Sequence, residues 1–305
     1  MADSYTKLYA GKAAAGFMSA SLLSGETLAK GNLTVLPNVA FKVNLNNFNL
    51  AAAAVADATC DFTSAGDVTY VEKALAPKRL QVNRALCKND WLSTWAGANM
   101  RAGLDGTLQS DFATYLISYA GSLVGQQVEK SIWAGSAATG GEFDGFEALA
   151  AADAAVVDVA IPTDAGGADV PLDAANIIAQ IGRVRDAIPN AVYGQDDLAI
   201  YMGTAAFKFY ISAQAALGYL NQYHAGVTES NFEGIPIKWA PGMSANVMIA
   251  GRKSNMFFAT DLEGDLTEVK LLDQTMVDGS DNVNLVMKFN AGVGFSTGAD
   301  IVLYA

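Results

Sequence analysis

The sequence predicts an α+β fold built from elongated elements, and three observations carry that prediction. From Val283 the odd positions read Val283, Leu285, Met287, Phe289, Ala291, Val293 and Phe295, whereas Asn282, Asn284, Lys288 and Asn290 are polar. Alternation with period two marks an extended strand with one buried face. At roughly 3.3 Å per residue the run spans about 43 Å, far beyond an ordinary globular strand. Between Gln109 and Trp133 the period changes: Phe112, Tyr115, Leu116, Tyr119, Leu123, Val124, Val128 and Ile132 fall three or four apart, with Ser110 or Asp111 as a cap. That spacing predicts a helix about 37 Å long. Between these two elements, helix-like and strand-like segments alternate.

In chain order, residues 1 to about 34 are rich in Ala, Gly, Ser and Lys and read as a loose arm with short helical turns at most. Val39, Phe41, Val43 and Leu45 alternate with Asn38, Lys42, Asn44 and Asn46, which predicts an amphipathic strand. Thr59–Phe62 and Val68–Val71, joined through Ser64-Ala65-Gly66-Asp67, read as a hairpin, and Arg79–Leu86 as a further strand. After the long helix come a glycine break at Gly140-Gly141, a strand at Val156–Ile161, and a helix opened by Asp173, striped by Ile177, Ile181, Val184 and Ile188 and stopped by Pro189. Leu198–Met202 reads as a strand and Thr204–Leu220 as a helix, with short strands at Ile235–Trp239, Asn246–Ala250 and Met256–Ala259. No internal repeat suggests a solenoid or propeller.

With 305 residues and 51% hydrophobic composition, the chain can bury a large core. Its net charge of -12, without any basic run, argues against tight binding to nucleic-acid phosphates. Cys60 and Cys87 lack metal-site or dithiol spacing and are expected to be reduced. No signal peptide or membrane-length apolar run is expected.

Site chemistry is sparse. The single histidine, His224, sits in a turn-like stretch without a nucleophile elbow to serve. Gly292, Gly294 and Gly298 have the wrong spacing for a phosphate loop and suit a strand that bends or packs closely. Asp261, Glu263 and Asp265 lack the spacing of a calcium loop and read as a solvated turn. Trp91, Trp95 and Trp133 suit a core or a subunit contact better than base stacking, which needs a basic groove. The sequence therefore names no catalytic residue, cofactor or metal ligand.

The order of arm, hairpin, long helix, mixed subdomain and long final strand resembles the major capsid protein of tailed bacteriophages. So do Asn231-Phe232-Glu233-Gly234-Ile235-Pro236-Ile237, Pro241–Ser244, Ala250–Phe258, Asp261–Leu272 and Asp300–Tyr304 in the last third. The resemblance implies the Hong Kong 97 fold: an N-terminal arm (1–52), an extended E-loop (53–87), a peripheral P domain in two parts (88–171, with a spine helix at 109–133, and 261–305) and an axial A domain (172–260). It implies a structural protein that self-assembles, through hexamers and pentamers, into an icosahedral head enclosing double-stranded DNA without binding it specifically. The implied place is the virion, assembled in the host cytoplasm. Portal, scaffold and decoration proteins are the implied further partners, and no membrane is involved. Phe17, Leu22, Leu23, Phe41, Phe62 and Tyr70 are the implied inter-subunit contacts. Lys73 and Lys78 would be the candidates for the isopeptide crosslink some members form, although exposed lysines are usually just solvated. Two alternatives stand beside this reading: an encapsulin-type shell around enzymes, and an α+β enzyme, which the missing site chemistry disfavours.

Overall fold

The computed structural model describes residues 7–10, 25–50, 60, 68–87, 110–164, 166–218, 230–261, 268–277 and 279–305. In chain order these form β1 (Lys7–Ala10), α1 (Glu26–Ala29), β2 (Thr34–Leu36), β3 (Val43–Leu50), β4 (Val68–Leu75) and β5 (Lys78–Cys87). Then come α2 (Ser110–Ala134), α3 (Phe146–Ala152), β6 (Val157–Val159), α4 (Ile177–Ala187), β7 (Leu198–Met202), α5 (Thr204–Ala216), β8 (Ser230–Phe232) and β9 (Ile235–Trp239). The chain closes through β10 (Met248–Arg252), β11 (Met256–Thr260), β12 (Glu268–Asp273), β13 (Asn282–Phe295) and β14 (Val302–Tyr304).

One sheet is organised around the 14-residue β13. β12 pairs with Val283–Lys288 and β11 with Ala291–Phe295, following one another along one edge. β5 pairs with Asn282–Ala291 along the other, and all three are antiparallel to β13. Val283, Leu285, Met287 and Phe289 are buried in one cluster with Val124, Val128, Ile132 and Trp133 of α2, so the helix covers that face. The even positions from Asn282 to Lys288 are only half-buried, as the alternation requires.

From Phe289 to Phe295 every residue of β13 is buried, which corrects the expectation of a single buried face along the whole strand. The chain around β4 and β5 closes over the second face there. A Cβ on Gly292 would lie 3.0 Å from Pro77 Cα, and one on Gly294 would lie 3.1 Å from a Leu75 methyl. The side-chain amide of the buried Asn290 donates to the Ala40 carbonyl at 2.8 Å.

The helical stripe is also rotated from its expected position. Ile117, Ala120, Val124, Val128, Ile132 and Trp133 face the core, whereas Tyr119 and Leu123, expected in the stripe, are exposed. Trp133 is a core residue, stacked 5.1 Å from Tyr201 and 5.5 Å from Phe146. Trp91 and Trp95 lie outside the described residues.

A second sheet, in the order β6-β14-β10-β7-β9-β8, carries the mixed subdomain. Ile177, Ile181 and Val184 of α4 and Phe207 and Tyr210 of α5 pack on it. β8 and β9 are joined by Glu233-Gly234, both with positive φ (48° and 89°), a two-residue turn that the twist of a tight hairpin favours. β14 lies between β6 and β10, so the C-terminal strand belongs to this sheet and not to that of β13.

Arg252 and Ser254 fasten the end of β10 to Asp197: the guanidinium donates to the carboxylate at 2.9 Å, and the Ser254 hydroxyl at 2.5 Å. Burial opposes ionisation of Asp197, yet the bonds from Ser254 and Arg252 outweigh it and lower its pKa to about 2. Its contribution to stability is thus complete above the ordinary Asp range and is lost as pH falls toward 2. Asp197→Asn is expected to flatten the acid limb of the stability profile between about pH 4 and pH 2, read by urea unfolding at stepped pH.

Within the stretch expected to be a loose arm, residues 7–10 and 25–34 take defined places within the chain. Leu28 and Leu33 are buried in the main core, and β2 runs parallel to β11. β1 pairs with β12. The physical reason is that a few apolar residues suffice where the core has a vacancy for them, even in a sequence without periodicity. Asp261, expected in a solvated turn, is instead buried and bridges to Asn38, while Glu263 and Asp265 lie outside the described residues.

Candidate inter-subunit surface

β3 and β4 form a separate two-stranded ribbon in the register Val43↔Leu75 to Leu50↔Val68. The expected hairpin arm at 59–62 falls outside the described residues apart from Cys60, which is exposed; the strand that pairs with β4 is β3. With eight residues in each strand, the ribbon extends about 26 Å. A two-stranded ribbon is marginal in water unless something covers it.

Its base is fastened to the body. Leu45 and Leu75 are buried with Val39 and Ala259. The Lys73 ammonium pairs with Asp153, just past α3, and sits 4.1 Å from the ring centroid of Phe295. The hydrogen bond from Lys73 draws the Asp153 carboxyl below its usual range, against the effect of burial. Asp153→Asn is expected to weaken this attachment by about 1 kcal/mol, seen as several-fold faster amide exchange in 68–75 with α2 unaffected.

Phe41 is 78% exposed, just ahead of β3, and Tyr70 in β4 is 45% exposed. The Tyr70 hydroxyl titrates above its ordinary value because it is hydrogen-bonded to Glu72. Phe41 and Tyr70 are therefore apolar groups on the ribbon and its approach. Phe17, Leu22, Leu23 and Phe62 lie outside the described residues.

Neither candidate crosslinking lysine stands free. Lys73 is held by Asp153, and the Lys78 ammonium donates to the carbonyls of Glu142 at 2.7 Å and Ala137 at 3.1 Å. The attachment of Lys73 to Asp153 and Phe295 escaped sequence reasoning because its partners lie far along the chain. Among the described residues no group of three or more His, Cys, Asp or Glu is placed to hold a metal, and no helix is long and apolar enough to cross a membrane. His224 lies outside the described residues. Both cysteines are free thiols, with Cys87 half-buried at the end of β5.

No protein-family model matches the sequence, and no curated protein matches it. Solved structures do. The chain is similar to one in the procapsid of satellite phage P4 with its size-determination protein, with a TM-score of 0.60 and 13% identity over 95% of this chain and 89% of that one. It is similar to the capsid of Myoviridae phage XM1, with a TM-score of 0.56 and 12% identity over 92% and 91%. It also resembles a virus-like particle from Pyrococcus furiosus, with a TM-score of 0.52 and 12% identity over 97% and 99%. At these identities the likeness is one of fold.

Proposed function

We propose that this chain, whose fold is the Hong Kong 97 fold of tailed-phage capsids, is a major capsid protein that self-assembles through hexamers and pentamers into an icosahedral head around double-stranded DNA. The observation that carries the reading is the β3–β4 ribbon: it is a sheet of its own, fastened at its base through Lys73, and exposes Tyr70, which a neighbour would cover. A surface that meets a different surface on the next copy gives a head-to-tail contact, which closes into rings under rotational symmetry.

In this reading the expected arm, E-loop, P domain and A domain keep their order but not their bounds: the E-loop is the β3–β4 ribbon, the P domain takes β5 and β11 with the sheet of β13, and the A domain takes β6 and β14 with the second sheet. Phe41 and Tyr70, with Phe17, Leu22, Leu23 and Phe62, make inter-subunit contacts. The role is structural and not catalytic. The net charge of -12 keeps the wall from adhering to the enclosed DNA. Assembly takes place in the host cytoplasm, with portal, scaffold or decoration proteins joining the virion. Likeness to a virus-like particle over 99% of that chain favours a second reading, an encapsulin-type shell around protein cargo.

The test is to express the chain alone and image it by negative-stain electron microscopy, with light scattering after size exclusion. Closed shells or capsomers support a shell protein, and the nucleic acid or protein inside native particles separates the two readings. A monomer that resists assembly with crowding agents and with a co-expressed scaffold would overturn both.

A further inference from the structure

We infer that Glu129 is a proton-operated latch holding residues 25–33 against α2. Glu129 is 6% exposed, one turn before the end of the helix. Its carboxylate accepts the Thr27 amide N–H at 3.2 Å and the Thr27 hydroxyl, and that hydroxyl accepts the Trp133 indole N–H at 2.9 Å. Thr27 is completely buried. The contact exists only because two glycines surround it. A Cβ on Gly25 would lie 2.5 Å from Glu129 Oε2, and one on Gly242 would overlap the Glu129 main-chain oxygen.

Every donor to this buried carboxylate is neutral. On the docked segment, Glu26 is tied to Lys30, and Lys30 lies over Trp239. On α2, Lys130 is tied to Glu142 at 2.9 Å. The Pro241-Gly242 turn brings no titratable group. A buried carboxylate without a cation is costly to keep ionised, whereas its protonated form can give its own O–H to Thr27. Burial accordingly pushes the Glu129 carboxyl above its ordinary range; the Thr27 and Trp133 bonds oppose this without cancelling it, and the charge of Glu26 adds to it. With the segment undocked, the carboxyl is solvated and titrates normally. Docking is therefore strongest below the ordinary carboxyl range and weakens as pH rises through the raised value. The latch belongs to the single chain and does not depend on the shell reading.

Amide hydrogen exchange, corrected for the intrinsic pH dependence of exchange, tests this on the full chain. Between pH 4 and pH 8 protection of 25–33 is expected to fall several-fold, while 120–134 keeps its protection. Glu129→Gln presents the Thr27 amide with the same acceptor and the hydroxyl with a donor, so its 25–33 peptide should stay protected at both pH values. Thr27→Val should lower protection at both and retain the slope. A flat wild-type profile overturns the latch whether or not the variants fold, as does a wild-type slope in Glu129→Gln or a parallel loss in 120–134.

Discussion

Leu285→Asp is expected to abolish cooperative folding, and Phe289→Asp to do the same, whereas Val286→Asp is expected to lower stability by about 1 kcal/mol or less. Leu285 and Phe289 are 1% and 3% exposed beneath α2. An unpaired carboxylate there costs several kcal/mol, a large share of the 5–15 kcal/mol typical of a whole domain. Val286 lies half-buried on the other face, level with Lys270 and Asn83 on the flanking strands. The alternation should end where burial becomes two-sided, so Gly292→Asp and Val293→Asp are expected to be equally damaging although they point to opposite faces. Circular dichroism and urea unfolding of the five variants check this. Equal damage at 285 and 286 would mean that the outer face is covered as well.

Gly242→Ala is expected to lower stability by about 3 kcal/mol, at the upper end for overpacking. The added methyl would overlap the Glu129 carbonyl oxygen and lie 2.8 Å from Lys130 Cα, both main-chain atoms that no rotamer change can move. The turn must therefore back away from α2. Gly140→Ala, with nothing within 4 Å of the added carbon, is the matched control and is expected to stay within about 0.5 kcal/mol of wild type. Chemical denaturation of the pair decides it, and similar values for both would show that the turn relaxes freely.

Elements whose own residues carry a period were legible in the sequence. β13 and α2 each repeat an apolar position often enough for the period to outweigh accident, and α2 runs from Ser110 to Ala134 against an expected 109–133. The mixed subdomain was legible because Asp173, Pro189 and Gly234 punctuate it: Asp173 accepts the amides of Ala175 and Asn176 ahead of α4, and Pro189 follows its end. What escaped depends on partners distant in sequence. α3 shows no stripe in its seven residues, yet Phe146 is 1% exposed because it meets Trp133. Residues 25–36 carry no pattern at all, and their place is fixed by Glu129, Trp133 and β11. On the candidate surface, the place of Tyr70 follows from which strand pairs with β4, and register is a property of two segments together.

The two-sided pairing of β13 has a mechanical consequence. Ladder bonds run across the strands, so a pull along β13 strains the ladders with β5, β12 and β11 together, in shear, and none can give before its neighbours. The β3–β4 ribbon, with a single ladder among the described residues, can instead be peeled open bond by bond. Tension reaching the molecule from outside is therefore carried by the β13 sheet and yielded to at the ribbon.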